Sequence, residues 1–121
     1  MFTTPLTERL GLRVPILAAP LGRGSGPRFL QAVANAGALG FVGVLHMEEH
    51  RVHGDLAEIV DATGGQVGVN ATLIQDQHRH LQAALDVGIR VVSLWQGDPA
   101  PYIPMVKDRP QPVTGETSRT T

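Results

Sequence analysis

Four apolar runs of strand length recur along the chain at nearly constant spacing. They occupy residues 14–19, 39–44, 66–70 and 90–94, so successive runs begin 25, 27 and 24 residues apart. Each run is nearly continuous in Val, Ile, Leu and Ala instead of alternating with polar residues. That pattern marks a strand covered on both faces, and hence a parallel sheet joined by right-handed crossovers. A repeating βα unit satisfies both the period and the pattern.

The segments between the runs carry helical periodicity and helix punctuation. Pro27 suits a first helical position, Phe29, Leu30 and Val33 share a face, and Gly37 can take the left-handed stop. Asp55 and Glu58 stand in capping-box spacing ahead of Leu56, Ile59 and Val60, with Gly64 or Gly65 as the stop. A third helix is expected over residues 76–86, with Leu81, Ala84 and Leu85 inward, His78, Arg79, Gln82 and Asp86 outward, and Gly88 after it.

Composition narrows the function. Ten Lys and Arg against eleven Asp and Glu give a formal charge of -1, which offers no footprint for nucleic acid or an anionic membrane. The absence of Cys excludes disulfides, thiolate zinc sites and Cys nucleophiles, and agrees with a reducing, cytoplasmic setting. Residues 1–7 show no basic segment followed by an apolar one, so no secretory signal is expected. The longest apolar stretch, residues 32–45, falls short of the roughly 18 residues of a membrane span.

Parallel α/β proteins carry their chemistry at the carboxyl ends of the strands. The first run ends in ILAAPLGRGSGP, where Pro20 fixes a turn and Gly22, Gly24 and Gly26 allow backbone amides to approach a flat or anionic ligand; a plain flexible loop reads equally well. The spacing is Gly-x-Gly-x-Gly, not the dinucleotide fingerprint. Joined in order to AVANAGALGFVG at residues 32–43, GVN at 68–70 and VVSLWQGDP at 91–99, this run makes the chain resemble the nitronate monooxygenase family. The resemblance covers about residues 6–108. It implies the N-terminal half, about four βα units, of a TIM barrel, and an enzyme that oxidises alkyl nitronates with O₂ using FMN and no metal. NADH:quinone reductases and a flavin-dependent enoyl reductase share similar motifs and are the alternatives.

Carried over by position, the resemblance implies that the backbone of Ala19, Pro20 and Leu21 lies against the isoalloxazine, with Leu21 where Met is more usual. It makes Asn70 the flavin-contacting amide, the residue-level alternative being a turn-forming Asn at a strand end. Gly40 and Gly43 would keep the second strand low beneath the cofactor, or would allow tight helix-to-strand packing. Trp95 and Gln96 fall on the substrate side, in place of more usual aromatic residues. The catalytic His of the family lies beyond the fourth strand, and this chain has no His after His80. At 121 residues it has about half the length of a barrel. The expectation is therefore a fragment that is inactive alone, or one completed by a second copy or a second-half polypeptide.

Two features stand apart. His46, Met47, Glu48, Glu49 and His50 spell H-x-x-E-H, the inverted zincin pattern, which would hold zinc only if both His shared a helical face; a solvated helix start is the reading preferred, with no metal assigned. Five of the nine prolines lie after Asp98, and residues 109–121 read as a disordered tail to a domain of residues 1–108. Only Lys107 among the ten basic residues is Lys, a bias that accompanies GC-rich coding, and a shifted frame near Asp108 would yield such a tail.

Overall fold

The apolar runs become four strands that pair in chain order, every pair parallel. The computed structural model describes residues 3–22 and 25–107; the tail expected over 109–121 lies outside them. The elements are α1 (Pro5–Leu10), β1 (Leu17–Ala18), α2 (Pro27–Asn35), β2 (Leu39–Gly43), α3 (Val52–Thr63), β3 (Val67–Thr72), α4 (His78–Asp86), β4 (Val91–Trp95) and α5 (Ile103–Lys107). Helices α2, α3 and α4 pack on one face of the sheet. Between them and the strands lies the main core, with Leu30, Val44, Leu56, Val67, Val69, Leu81, Val92 and Leu94 all nearly or fully buried.

The other face carries no helical layer. Leu39, Phe41 and Val91 cluster there near the amino ends of the strands, covered by Leu10 and Leu12. The chain is thus buried on both faces only in part, which explains why the first run falls short of its expected six residues. Pro15 has no N–H to give, and Arg13 and Val14 donate theirs to the Gly37 carbonyl at 2.9 and 3.3 Å instead of to a ladder. Only Leu17 and Ala18 pair with β2, and Ile16 and Leu17 remain 56% and 47% exposed.

Helix starts differ from the sequence reading for local reasons. Asp55 does not cap α3, because its own N–H already bonds to the Arg51 carbonyl at 2.9 Å, and the helix begins at Val52. His46 to His50 therefore precede α3 in turns, so the two His do not share a helical face; His50 instead lies 3.4 Å from the Glu48 carboxylate. Gly64 closes α3 in the left-handed conformation, as expected. Helix α4 starts at His78, whose N–H bonds to the Asp76 side chain. Two helices escape the periodicity argument. Helix α1 is opened by Thr4 and Thr7 in a reciprocal capping box, and α5 lies in the Pro-rich stretch, where Tyr102 and Val106 are buried in the core.

Gly37 tests this account. Its φ is +89°, and a Cβ there would lie 2.6 Å from the Cβ of Arg13, a backbone-anchored atom. Gly37→Ala is expected to cost about 2–4 kcal/mol, from left-handed strain plus displacement of the 13–14 segment. A urea melt of variant and parent measures it, and a loss under about 0.5 kcal/mol would contradict the packing described.

Candidate active site

Strand parity decides what the open face presents. Gly43 pairs with Asn70 and Asn70 with Ser93, forming one lateral row; Thr72 pairs with Trp95 one step further toward the carboxyl ends. Below this row, toward the amino ends, Phe41 pairs with Gly68 and Gly68 with Val91. A Cβ on Gly68 would lie 2.6 Å from the Phe41 ring, so glycine leaves room for that ring across the sheet. The open face is apolar below and small or polar above.

The upper row forms the floor of a cleft of about 830 Å³. Ala19, Pro20, Gly22 and Ser25 wall it from the loop after β1, and Leu45, His46 and Met47 from the loop after β2. It continues over the end of β2 to Asp55, Glu58 and Ile59 of α3. Ser25 is buried, and its hydroxyl accepts the Leu21 N–H at 2.6 Å, which ties the loop after β1 back on itself. A smaller depression of about 230 Å³ lies at the opposite, amino end of the sheet, beside Arg9, Gly65 and Arg90.

Of the residues singled out in the sequence, Ala19, Pro20, Asn70 and Trp95 come together in this cleft. Leu21 and Gln96 do not line it; both are exposed beside it. Asn70 sits inside β3, paired on both sides, so the turn-forming alternative does not describe it. Its carbonyl accepts the Val44 N–H at 3.1 Å, while its side-chain amide makes no hydrogen bond to another described residue. The two glycines separate. Gly40 faces α2, where a Cβ would meet Leu30 at 2.6 Å, so it serves helix packing; Gly43 faces the cleft, with only Pro20 within 4 Å, at 3.7 Å.

The rim loops after β3 and β4 are pinned to each other. Asp76 accepts from the His78 ring at 2.6 Å and from the Tyr102 hydroxyl at 3.3 Å, and the His78 and Tyr102 rings stack with centroids 4.3 Å apart. The hydrogen bond from the His78 ring, followed by that from its N–H, holds the Asp76 carboxyl below its ordinary range. Among the described residues, no group of three His, Asp or Glu is placed to hold a metal ion. None of their helices is long and apolar enough to cross a membrane.

A family model described as nitronate monooxygenase matches residues 3–100. The chain belongs to the nitronate monooxygenase family. Its structure also resembles that of a point mutant of FabK from Thermotoga maritima, with a TM-score of 0.83 and 25% identity over 93% of this chain and 39% of that one. The enoyl reductase domain of MlnA from Bacillus amyloliquefaciens shares the fold at a TM-score of 0.65 and 21% identity, over 76% of this chain and 23% of that one. A curated relative, the (3aS,4S,5R,7aS)-5-hydroxy-7a-methyl-1-oxo-octahydro-1H-indene-4-carboxyl-CoA dehydrogenase of Mycobacterium tuberculosis, is 30% identical over 91 residues, 74% of this chain and 26% of its own length. The chain thus spans about a quarter of that relative and about two fifths of the FabK chain. The four βα units are the N-terminal half of the TIM barrel of this oxidoreductase family.

Proposed function

We propose that these 121 residues supply the isoalloxazine-facing half of an FMN-dependent oxidoreductase site that oxidises alkyl nitronates with O₂. The observation that carries the reading is the row Gly43–Asn70–Ser93 at the floor of the cleft. A flat ring with a polar edge needs a surface without projecting side chains and an amide able to donate and accept. Gly43 gives the first, and Asn70, with its side-chain amide unengaged, gives the second. Ala19 and Pro20 would bound the ring on the β1 side. When bound, FMN supplies the redox chemistry. The protein's part is to hold and orient the ring, and to place Trp95 and Thr72 toward the carboxyl-end opening through which a small nitronate and O₂ enter. No residue of this chain is assigned as a general base.

The fold relationship to an enoyl reductase domain and the identity with an acyl-CoA ring dehydrogenase share the same flavin-site reading and differ in substrate. Trp95 is the only Trp and it lines the cleft, so its fluorescence reports on ring binding. Lumiflavin, an isoalloxazine without a phosphate, is expected to quench it saturably. In Asn70→Ala the affinity should fall about 3- to 10-fold, the loss of one ring hydrogen bond worth roughly 0.5–1.5 kcal/mol, with the circular dichroism unchanged. Equal affinity in variant and parent would remove Asn70 from the site. Turnover of propionate 3-nitronate with O₂ uptake, in a form completed by the remaining βα units, tests the substrate.

A further inference from the structure

Trp95 ends β4 facing the cleft, yet 46% of it is exposed. Burying an indole is among the largest apolar gains a side chain can make, and on this outer strand that surface is available to a ligand in the cleft. The residue after it is stranger. Gln96 has φ of +58°, and it is the one non-glycine at positive φ among the described residues. Crowding of Cβ against the carbonyl disfavours that conformation, and a residue kept in it is held there by its surroundings.

Leu73 supplies those surroundings. Before Gln96, the Trp95 carbonyl accepts the Leu73 N–H at 2.8 Å. After it, Gly97 lies so close to Leu73 that a Cβ would stand 2.6 Å from the Leu73 Cβ and 2.8 Å from the Leu73 carbonyl oxygen. The end of β4 is therefore clamped to the same residue of the β3 end on both sides of the strained position. Gln96 itself is exposed and does not line the cleft, so its side chain is not what the arrangement serves. What the clamp fixes is the backbone of Trp95, and with it the direction in which the side chain leaves the strand, on the same face as its register partner Thr72.

We propose that the Gln96–Gly97 turn is a positioning device that aims the Trp95 indole over the cleft as a platform, and that the platform selects, among alkyl nitronates, those whose alkyl group carries a flat, apolar ring. The inference rests on the cleft being the substrate site of the proposed function. A preset indole gains from offset stacking with a fused or conjugated ring and gains less from a puckered or branched aliphatic group of the same size. Gln96 is here a positioning residue and Trp95 a specificity-determining one.

The test uses two carboxylates of equal charge, 2-naphthoate and cyclohexanecarboxylate, titrated into the ¹⁵N-labelled 121-residue chain and read at its single indole N–H resonance and at the backbone amides of Asn70, Thr72 and Ser93, which serve alone where Trp95 is replaced. The parent should prefer the naphthoate at least 5-fold, and Trp95→Leu should abolish that preference. Gln96→Gly should melt at the same temperature or a few degrees higher, because the strain is relieved, while its preference for the naphthoate falls about 3-fold or more. A purely structural residue would not move those two readouts in opposite directions. Gln96→Asn, which tolerates the left-handed conformation, should keep the parent's preference. Equal affinity for the two acids in the parent, or an undiminished preference in Gln96→Gly, would overturn the proposal. A parallel lumiflavin titration separates the two readings: naphthoate selectivity that persists without lumiflavin binding supports the platform and counts against the flavin site alone.

Discussion

Leu56→Ala is expected to cost about 2–5 kcal/mol, because Leu56 is fully buried where α3 packs into the main core. Small domains hold only about 5–15 kcal/mol in total, so a chain with one open sheet face can lose most of its folded population. The effect reaches the cleft, since the neighbours of Leu56 on the same helix, Asp55, Glu58 and Ile59, form its outer wall. Glu58→Ala, two residues along and exposed, should by contrast change stability by less than about 0.5 kcal/mol. Urea melts of both variants measure the difference. Similar midpoints for the two would mean that α3 is not packed as described.

The second large effect is self-association of the isolated 121-residue polypeptide. Among the described residues β1 and β4 are the outer strands of the sheet, and all four strands are parallel. Among the described residues, four of the six large hydrophobic residues that remain exposed, Ile16, Leu17, Leu21 and Trp95, sit on these outer strands or on the loops adjoining them. Outer strands with apolar flanks are sites for further pairing and apolar association. A second copy turned about the barrel axis places its β1 beside β4 and its β4 beside β1, closing eight strands. Sedimentation velocity at tens of micromolar should show a dimer or larger species, and Leu17→Lys on the edge strand should shift it several-fold toward monomer. A parent that stays at 12.9 kDa throughout that range would contradict the outer-strand description.

Much of this fold is legible in the sequence because it rests on short-range signals. Pro27 opens α2 and Gly64 closes α3 because φ restriction and left-handed freedom are properties of single residues. The strand order follows from the period. What the sequence hides depends on competition between distant groups. The Gly37 carbonyl takes the N–H groups of Arg13 and Val14, which shortens β1, and no local pattern announces that contact. Asp55 and Glu58 fit the capping-box spacing, but the helix had already begun at Val52. Helix α1 was marked by Thr4 ahead of Pro5, a signal present and weak, because Thr7 takes the place usually held by Glu or Gln.

The site divides along the same line. Asn70 and Trp95 belong to motifs and can be named from them. Thr72 and Ser93 follow from strand parity, two residues on from Asn70 and two before Trp95, once the strands are placed. Asp55 and Glu58 reach the cleft only through the packing of α3 against α2 and β3, and His46 through the course of the loop after β2, none of which a spacing encodes. Gly40 and Gly43 look alike in the sequence and part by parity, one toward α2 and one toward the cleft.

In the function proposed, the carboxyl ends of these four strands form the ring-binding half of a flavin barrel. Titrating lumiflavin into the ¹⁵N-labelled chain and following the backbone and side-chain amide resonances tests it residue by residue. The predicted result is a set of shifts at Ala19, Gly43, Ser93, the Asn70 side-chain amide and the Trp95 indole, with Gly64, Gly65 and Arg90 at the opposite end of the sheet unmoved. Shifts centred on that opposite end, or none at any soluble lumiflavin concentration, would contradict it.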